Sequence, residues 1–521
     1  MSNVQLDEEG KMVEQSKNNT EVLVAYNKIP YALLNKELDG STQDTLDELT
    51  KICQYYKIYK EGKEFAVEGS NGDYVPAKLH YRLAYSLVNK EARFLFAEPP
   101  DVIVNAKGDL TEVDKSVQEA LQVMQDLVKD VLDTNMFEDN ILKAAKDCFV
   151  GKRVAGLVNF NEEDGITLTF LPSTQFIYET KIGNPHVLTK FVCFMVVKEN
   201  TNKSNKRIFK KKYELDNGKV FLEESLYDGA GRLIEDITER QEIKLDQIPA
   251  VICVNDGLLG ETQGESEIAL LEGYEEWYSK LSNGDTDAER KSMNPIRYTV
   301  DMDNRSTKSL SSAAGSYWDL QSDQNLDKPN PKAGILESNM SYSESLKTSL
   351  DRMKTSAYEL VDVPNISIET MTGTITSGKA LRAIYWSLIV RCKEKMKMWG
   401  PQLRKMVEII IDGAIQYPNC AVKHITDQLI PVEYEVDIVQ NLPLPEDEQE
   451  EKTMDLAEVD SQVMSRKAYM KKWRELTDNE VDDELNQIAI ERQIIQDSFT
   501  AMPGMETIGN EEQGQEDQIM M

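Results

Sequence analysis

Seven residues, Gly373–Lys379, carry the glycine and lysine spacing of a phosphate-binding loop. In such a loop the backbone N–H groups and the lysine hold phosphates, and a Ser or Thr after the lysine binds Mg²⁺. Here Ala380 follows the lysine, and the preceding VDVPNISIET is only a weak strand interrupted by Pro364. A buried strand should lead into a true phosphate loop. A P-loop ATPase that uses Gly373–Lys379 therefore remains an alternative, and the glycines need another explanation.

Other catalytic patterns are weak. The three histidines, His80, His186 and His424, are far apart, and the six cysteines contain no C-x-x-C pair. We therefore expect no metal site, no histidine-based triad and no cofactor, and we expect reduced thiols in a cytoplasm. Cys148 lies between Lys146 and Lys152, which could lower its pKa and make it a nucleophile. A buried core cysteine is the favoured interpretation.

Composition limits the remaining classes. The chain has 521 residues, 40% of them hydrophobic, enough for three or four domains of ordinary size. Its net charge of −32 excludes DNA binding by bulk positive charge. The acidic start lacks the apolar core of a signal peptide, and no apolar run is long enough for a membrane span, so no membrane association is expected.

Two basic stretches interrupt this acidic background. The stretch 203–213 could bind nucleic acid, but its place between two strands favours a solvated hairpin face. The predicted helix 379–405 carries eight Lys or Arg residues against one acid, Glu394. We favour salt bridges to acids of neighbouring subunits as their role, with DNA steering as the alternative.

Hydrophobic periodicity predicts an α+β chain that is mostly helical. Helices are expected at 42–60, 83–95, 113–145, 341–361 and 378–416, and another from 267 to 289 that is broken at Asn283-Gly284. Between 153 and 227, alternating patterns and turns predict one β meander, and 293–338 reads as a small β-rich insert. Pro401 should kink the last long helix, because proline removes a backbone donor.

Four stretches in this order resemble the portal proteins of tailed double-stranded DNA phages, over about residues 40–495. They are VNKEARFLFAEPPDVIV (88–104), the stretch 248–287 with Gly264, Ser266, Leu271, Tyr274, Ser282 and Asn283, TSGKALRAIYWSL (376–388), and the strand–Pro–acidic stretch that begins DIVQNLPLPEDEQ. Ala97-Glu98 departs from the Gly-x that is common before the prolines, and the basic stretch 203–213 looks local.

The resemblance implies a portal fold with wing, stem, clip and crown regions in a ring oligomer. The expected regions are a flexible arm (1–40), wing (41–265), stem helix (266–292), clip (293–338), second stem helix (339–361), tunnel loop (362–378), long kinked helix with a wing strand (379–440), helical crown (441–497) and disordered acidic tail (498–521).

The resemblance also implies a non-enzymatic function. The protein would form a ring, twelve copies in this family, at one capsid vertex of the virion after assembly in the host cytoplasm. DNA would pass through it during packaging and ejection. The implied partners are the terminase large subunit, the major capsid and scaffold proteins, and a head-tail connector or adaptor protein. A helical adaptor without a channel is a further alternative.

The site residues follow from this resemblance. The tunnel loop would face DNA through Asn365, Ser367, Glu369, Thr370, Met371, Thr372, Thr374 and Thr376. No Lys or Arg lies between Asp362 and Gly378, so this loop could touch a phosphate backbone without holding it. Lys379 and Arg382 are candidates for DNA steering. Partner-binding residues of the clip would be Arg297, Arg305, Lys308, Tyr317 and Trp318.

Overall fold

A computed structural model describes most of the chain. The described residues are 21–24, 27–30, 42–67, 75–107, 115–198, 206–229, 231–258, 263–293, 296–303, 321–323, 325, 327, 330–336, 340–366, 378–421, 429, 431–443, 448–474, 481 and 484–491. They form two compact units, one of Met1–Thr374 with Ala383–Pro443, and one of Ile375–Arg382 with Leu444–Met521. Among the described residues, no helix is long and apolar enough to cross a membrane.

Eleven helices are described with both of their ends, and residues 484–491 are helical as well. The eleven helices are α1 (Thr42–Glu61), α2 (Leu83–Phe96), α3 (Lys115–Thr134), α4 (Phe137–Gly151), α5 (Glu267–Met293), α6 (Ser343–Leu360), α7 (Gly378–Ile384), α8 (Trp386–Gln416), α9 (Pro418–Ala421), α10 (Glu448–Asp460) and α11 (Arg466–Arg474).

The described strands form five sheets, all with antiparallel pairing. The strands are β1 (Glu21–Val24), β2 (Asn27–Pro30), β3 (Asp101–Ala106), β4 (Arg153–Asn161), β5 (Gly165–Pro172), β6 (Phe176–Lys181), β7 (Asn184–Lys198), β8 (Lys206–Asp216), β9 (Lys219–Asp228), β10 (Leu233–Ile243), β11 (Ala250–Val254), β12 (Ile296–Val300), β13 (Lys332–Leu336) and β14 (Tyr434–Val439). Their orders are β1-β2, β10-β9-β8-β7-β6, β11-β4-β5, β12-β13 and β14-β3.

The first unit is built around the sheet β11-β4-β5. The first six residues of β4 are all buried, and α8 packs across β4 and β11. Gly413 of α8 lies so close to Phe160 that an added Cβ would be 2.0 Å from the ring. Only glycine allows this contact between the helix backbone and the aromatic ring. Trp399 of α8 is buried edge-on against Phe96, with ring centroids 5.1 Å apart.

Several sequence predictions are confirmed and several are wrong in detail. Strands and turns do occupy 153–227, but they form two sheets: β4 and β5 join β11 in one sheet, and β6 does not pair with β5 but is the edge strand of the five-stranded sheet. The predicted helix 113–145 is two helices, since Met136 adopts a left-handed conformation (φ 50°) between them. The predicted break at Asn283-Gly284 does not occur, and α5 runs through it.

The last long helix also differs from its prediction. It is interrupted at Tyr385, between α7 and α8, whereas Pro401 lies inside the continuous helix α8. The structure further adds β6 and β10, which the alternation pattern did not predict. β10 is an edge strand with mostly exposed side chains, so it lacks the buried alternate positions on which such a prediction depends.

The basic stretch 203–213 belongs largely to β8, a central strand of the five-stranded sheet. Lys211 forms an ion pair with Glu224 at 3.1 Å, and Lys212 forms one with Glu214 at 3.3 Å. The side chains of both lysines are largely buried. The prediction of a solvated hairpin face is therefore wrong, and these paired lysines do not form a nucleic-acid surface.

In the second unit, α10 and α11 are joined through Trp473. Its indole N–H donates to Asp455 at 2.7 Å, and Lys472 contacts the same carboxylate at 2.9 Å. Lys472 and Trp473 hold the pKa of Asp455 below its usual value. Of the predicted terminal segments, 498–521 lies outside the described residues, and 1–40 is described only at the β1-β2 hairpin.

Candidate channel loop and the charge cluster at its base

The predicted DNA-facing loop is described at its beginning. Asn365 is exposed, in a segment 363–366 without regular structure. The other seven predicted loop residues, from Ser367 to Thr376, lie outside the described residues. Lys379 and Arg382 lie in α7, and the Arg382 side chain is exposed. Arg297 lies in β12, and the other four predicted clip residues lie outside the described part of the chain.

The segment leaves α6 through a tight, buried turn. Asp362 has a left-handed backbone (φ 53°), and the N–H of Val363 donates to the carbonyl of Tyr358 at 3.0 Å. Val361 and Val363 are both almost fully buried. Because the two apolar side chains on either side of Asp362 are fixed in the core, the start of the loop has a defined position.

Arg391 of α8 joins this turn to two other helices. Its Nε donates to Glu91 of α2 at 2.7 Å, and one Nη donates to Glu267 of α5 at 2.7 Å. The other Nη lies 3.6 Å from the Asp362 carboxylate. One guanidinium therefore holds α2, α5 and the start of the loop against α8. Lysine could not replace it, because an ammonium group lacks the planar fork of N–H donors.

Lys395 lies one turn further along α8 and completes the cluster. Its Nζ donates to Glu267 at 2.7 Å and to the Asn255 side-chain oxygen at 2.7 Å, and it lies 3.2 Å from Glu91. The ammonium also lies 4.0 Å from the centre of the Phe149 ring. We call Glu91, Glu267, Arg391 and Lys395 the charge cluster; it contains two cations and two carboxylates.

The two carboxylates of the cluster are not equivalent. Burial raises the pKa of Glu267, but Lys395, Arg391 and Asn255 outweigh this and hold it at about 2. Burial and the nearby Glu267 charge raise the pKa of Glu91, and its Oε2 has no hydrogen-bond partner. Glu267 is thus firmly ionised, whereas the charged form of Glu91 is disfavoured at its buried position.

Sequence patterns did not predict this cluster, although a signal was present. Glu91 and Lys395 each occupy a position in the apolar stripe of its helix, next to Leu87, Leu95, Cys392 and Trp399. A charge at a core position is buried only when it is paired. The expectation that the basic residues of 379–405 pair with neighbouring subunits is wrong for Arg391 and Lys395, which pair within their own chain.

Gly264 and Ser266 position the start of α5. Gly264 has φ 75°, and a Cβ there would lie 2.4 Å from the carbonyl oxygen of Asn255, so a larger residue does not fit. Ser266 accepts from the N–H of Ile268 and donates to the carbonyl of Val150 at 2.6 Å. It therefore caps α5 and fastens it to the end of α4, which places Glu267 in the charge cluster.

A polar ladder then runs along α5. Its members are spaced four residues apart, so they share one face of the helix, and they are Glu275, Ser279, Asn283 and Asp287. They accept from the backbone N–H groups of Ala84, Tyr81, Leu79 and Ala77, at 2.9, 3.3, 2.8 and 2.9 Å. Glu275 also accepts from Lys63, and Asn283 donates to the carbonyl of Leu79.

This ladder binds the segment 75–84, whose residues 75–82 have no regular secondary structure and lead into α2. The segment's backbone groups would otherwise need water or another strand as partners. Burial raises the pKa of Glu275 although the N–H groups of Ala84 and Lys63 oppose it. Asn283 belongs to the portal-like Ser-Asn pattern at 282–283. In the structure it holds the backbone of this segment.

None of the described geometry supports nucleotide or thiol chemistry. Residues 363–366 form no strand ahead of the glycines, and Gly378 begins a helix whose third residue is Ala380. Cys148 is fully buried and donates to the carbonyl of Cys253, and burial raises the pKa of its thiol far above the usual value. Cys148 is a core residue, as predicted.

Comparison with known proteins identifies the family. A family model described as phage portal protein, SPP1 Gp6-like, matches residues 35–498, most of the chain. No curated protein matched the chain. The match includes the four stretches quoted above, the charge cluster and the polar ladder, and it gives no support to a P-loop ATPase. The chain therefore belongs to the SPP1 Gp6-like family of phage portal proteins.

Proposed function

We propose that copies of this portal protein form a closed ring of about twelve at one capsid vertex, through which DNA enters and leaves the virion. This proposal rests on the observation that the loop is fixed at its base. Arg391 joins the loop start at Asp362 to α2, α5 and α8. A loop that contacts moving DNA needs a rigid support, because the scaffold must hold it in the channel while its own contacts stay weak.

The composition of the loop suits a sliding contact. Between Asp362 and Gly378 it contains small hydroxylic side chains and glycines but no Lys or Arg. Neutralising a phosphate with Lys or Arg releases counterions and produces tight, salt-dependent binding. Without such residues, a duplex can pass the loop without being held. Lys379 and Arg382, just beyond it, are proposed to steer the DNA.

The partners are proposed by region. The terminase large subunit, and later a connector or adaptor protein, would dock at the clip (293–338), whose described core is the β12-β13 ladder. Major capsid and scaffold proteins would contact the wing (41–265). Assembly in the host cytoplasm would precede incorporation into the capsid.

The proposal is tested by adding charge to the loop. Thr372→Lys would place one new cation per copy around the duplex, so we expect intact rings that package DNA slowly, with partial recovery at higher salt. The matched control, Gln241→Lys, adds the same charge to an exposed position on β10. Thr374→Ala should package nearly normally.

Two measurements decide the outcome. Native mass spectrometry gives the number of copies in the ring, and nuclease-protected DNA length over time gives the packaging rate. If Thr372→Lys packages normally while Gln241→Lys stops packaging, the loop does not lie in the DNA path. A protein that stays monomeric at micromolar concentration at every salt would overturn the ring itself.

A further inference from the structure

An acidic groove lies at the corner between α3 and α4, and none of its lining residues belongs to the predicted channel loop or clip. It is a cavity of about 630 Å³ bounded by the segment 99–102 and by the facing sides of the two helices. Its floor is apolar and includes Pro100, Val128 and Phe137, all buried. Above these buried residues, the half-buried side chains of Pro99, Val102 and Leu132 give the groove an accessible apolar surface that can receive an apolar side chain.

The rim of the groove is negatively charged. Asp101, Asp133 and Glu138 line it and are exposed, and Lys129 is the one basic residue among its lining. Among the described residues, none of these three carboxylates has a basic partner. Their charge repels phosphate groups, so a nucleic acid or an anionic membrane surface is not a suitable occupant.

Met136 projects at the corner with 70% of its surface exposed. Its backbone is left-handed (φ 50°), a conformation that costs about 1 kcal/mol for a residue with a side chain. Glycine or asparagine would satisfy the corner with less strain. A long apolar side chain exposed at this strained corner is available for a contact that the described part of the chain does not supply.

The corner is held rigidly by Asn135. Its side chain donates to the carbonyls of Val131 at 2.8 Å and Ile166 at 3.0 Å, and it accepts from the N–H of Leu168 at 2.9 Å. The N–H of Asn140 donates to the carbonyl of Met136 at 3.1 Å. Met136 is thus presented in a fixed position, which reduces the entropy lost when a partner binds.

We propose that the acidic groove, with Met136 at its edge, is a docking site for a peptide segment of another protein that carries a long apolar side chain flanked by Lys or Arg. The apolar side chain enters the groove beside Met136, and the basic residues face Asp101, Asp133 and Glu138. A second copy of this chain is a poorer occupant. Each copy carries a net charge of −32, so most of its surface would bring like charge to the acidic rim.

The test measures binding of a fluorescent probe to assembled full-length protein. The probe is a short lysine-rich peptide with a central Leu-Phe pair, and two matched peptides replace its lysines with Glu or its Leu-Phe pair with Ala-Ala. We expect the first peptide to bind, more weakly as salt rises, and the other two to bind at least about tenfold more weakly, because both charge and apolar contact are needed.

Variants then locate the site. Asp133→Lys combined with Glu138→Lys should weaken probe binding by about tenfold or more, whereas the control Glu119→Lys with Asp126→Lys, on the same helix α3 but outside the groove, should change it less than about twofold. Met136→Gly keeps the left-handed corner and relieves its strain, so this variant should fold at least as well and still bind the probe more weakly.

Several outcomes would overturn the proposal. They are equal binding of the glutamate and lysine peptides, unchanged binding by Met136→Gly and the charge-reversed protein, or no binding at all. A different result is that the charge-reversed protein fails to form rings and the wild type does not bind the probe. The groove would then be a contact between copies, and the proposal would be wrong.

Discussion

At the scale of residues, the charge cluster shows how a buried ionic group can specify an arrangement of helices. Desolvating four charges is expensive, and a hydrophobic cluster of the same volume is often at least as stable. The cluster brings one residue from each of α2 and α5 to two residues of α8, and its hydrogen bonds fit only one relative placement of the three helices. Its role is therefore better described as specificity of packing than as stabilisation.

The inequality of the two cluster carboxylates gives a matched prediction. Glu267→Gln should destabilise the protein by on the order of 3 kcal/mol, because neighbours hold the pKa of Glu267 at about 2 and so favour its charged form. Glu91→Gln should be clearly milder, because burial raises the pKa of Glu91 and its Oε2 has no hydrogen-bond partner. Urea unfolding midpoints compare the two, and equal losses would contradict the assignment.

Asp147 gives a pH-dependent prediction. Burial raises its pKa from 3.8 to about 6, although the Tyr56 hydroxyl, Lys60 and Lys146 oppose this. A raised carboxyl pKa means that the folded protein binds the proton more tightly, so this stabilisation is present below pH 4 and is lost as pH rises through 6.

Asp147→Asn keeps the acceptor for Tyr56, which donates to Oδ1 at 3.0 Å, and removes the titration. Its stability relative to wild type should therefore improve by about 2 kcal/mol between pH 4 and pH 7, as measured by urea unfolding at each pH. A relative stability that is independent of pH would show that Asp147 ionises normally.

At the scale of elements, the sequence predicted those whose signal is local. Alternation and turns predicted the strands β4, β5, β7, β8 and β9. The apolar stripe of α2 predicted its C-terminus to within about a residue of the observed end at Phe96. The signal failed where distant contacts decide the structure. β11 pairs with β4 from about ninety residues away in sequence, and Met136 is held in its conformation by Asn135, which itself depends on β5.

The same contrast applies to the candidate site. The lack of positive charge before Lys379 is visible in the sequence itself, whereas the loop stays a prediction, because residues 367–377 lie outside the described part of the chain. The charge cluster and the polar ladder could not be predicted, because both join segments that are tens to hundreds of residues apart. The sequence contains one indication of the charge cluster, which is that Glu91 and Lys395 are charged residues within the apolar stripes of their helices.

The polar ladder on α5 predicts a local opening. Asn283→Ala removes both bonds to Leu79, so the segment 75–84 should separate from the helix more often. Hydrogen exchange at the amides of Leu79 and Tyr81 should become at least about tenfold faster. Glu289→Ala, at an exposed position of α5 about 120° around the helix from Asn283, is the control and should leave these amides unchanged. Equal acceleration in both variants would mean that general helix stability, not the ladder, protects the segment.

At the scale of the whole molecule, the two compact units differ in how they are built. The first holds nearly all of the described core, including the sheet β11-β4-β5 with α4 and α8. In the second, Val481 and Asp455 are the buried residues among those described. A unit with its own core is expected to fold by itself.

This difference predicts the result of a truncation. A chain that ends after Pro443 should retain the first unit, with a thermal midpoint within a few degrees of the corresponding transition in the full chain, because its core residues are all present. Differential scanning calorimetry of both chains measures this. Aggregation of the truncated chain under conditions where the full chain stays soluble would show that the first unit depends on the residues beyond 443.

The attachment of the loop base to Arg391 has a mechanical consequence. The segment leaves the core at Asp362, and the chain returns to it in α8, where Arg391 contacts that same Asp362. In the function proposed above, a force that moving DNA exerts on the intervening residues is borne at this one anchorage and loads several short hydrogen bonds in parallel. Bonds loaded together yield at a higher force than bonds that are peeled one after another. The helices joined by Arg391 should therefore keep their relative positions while the segment beyond Asp362 is loaded.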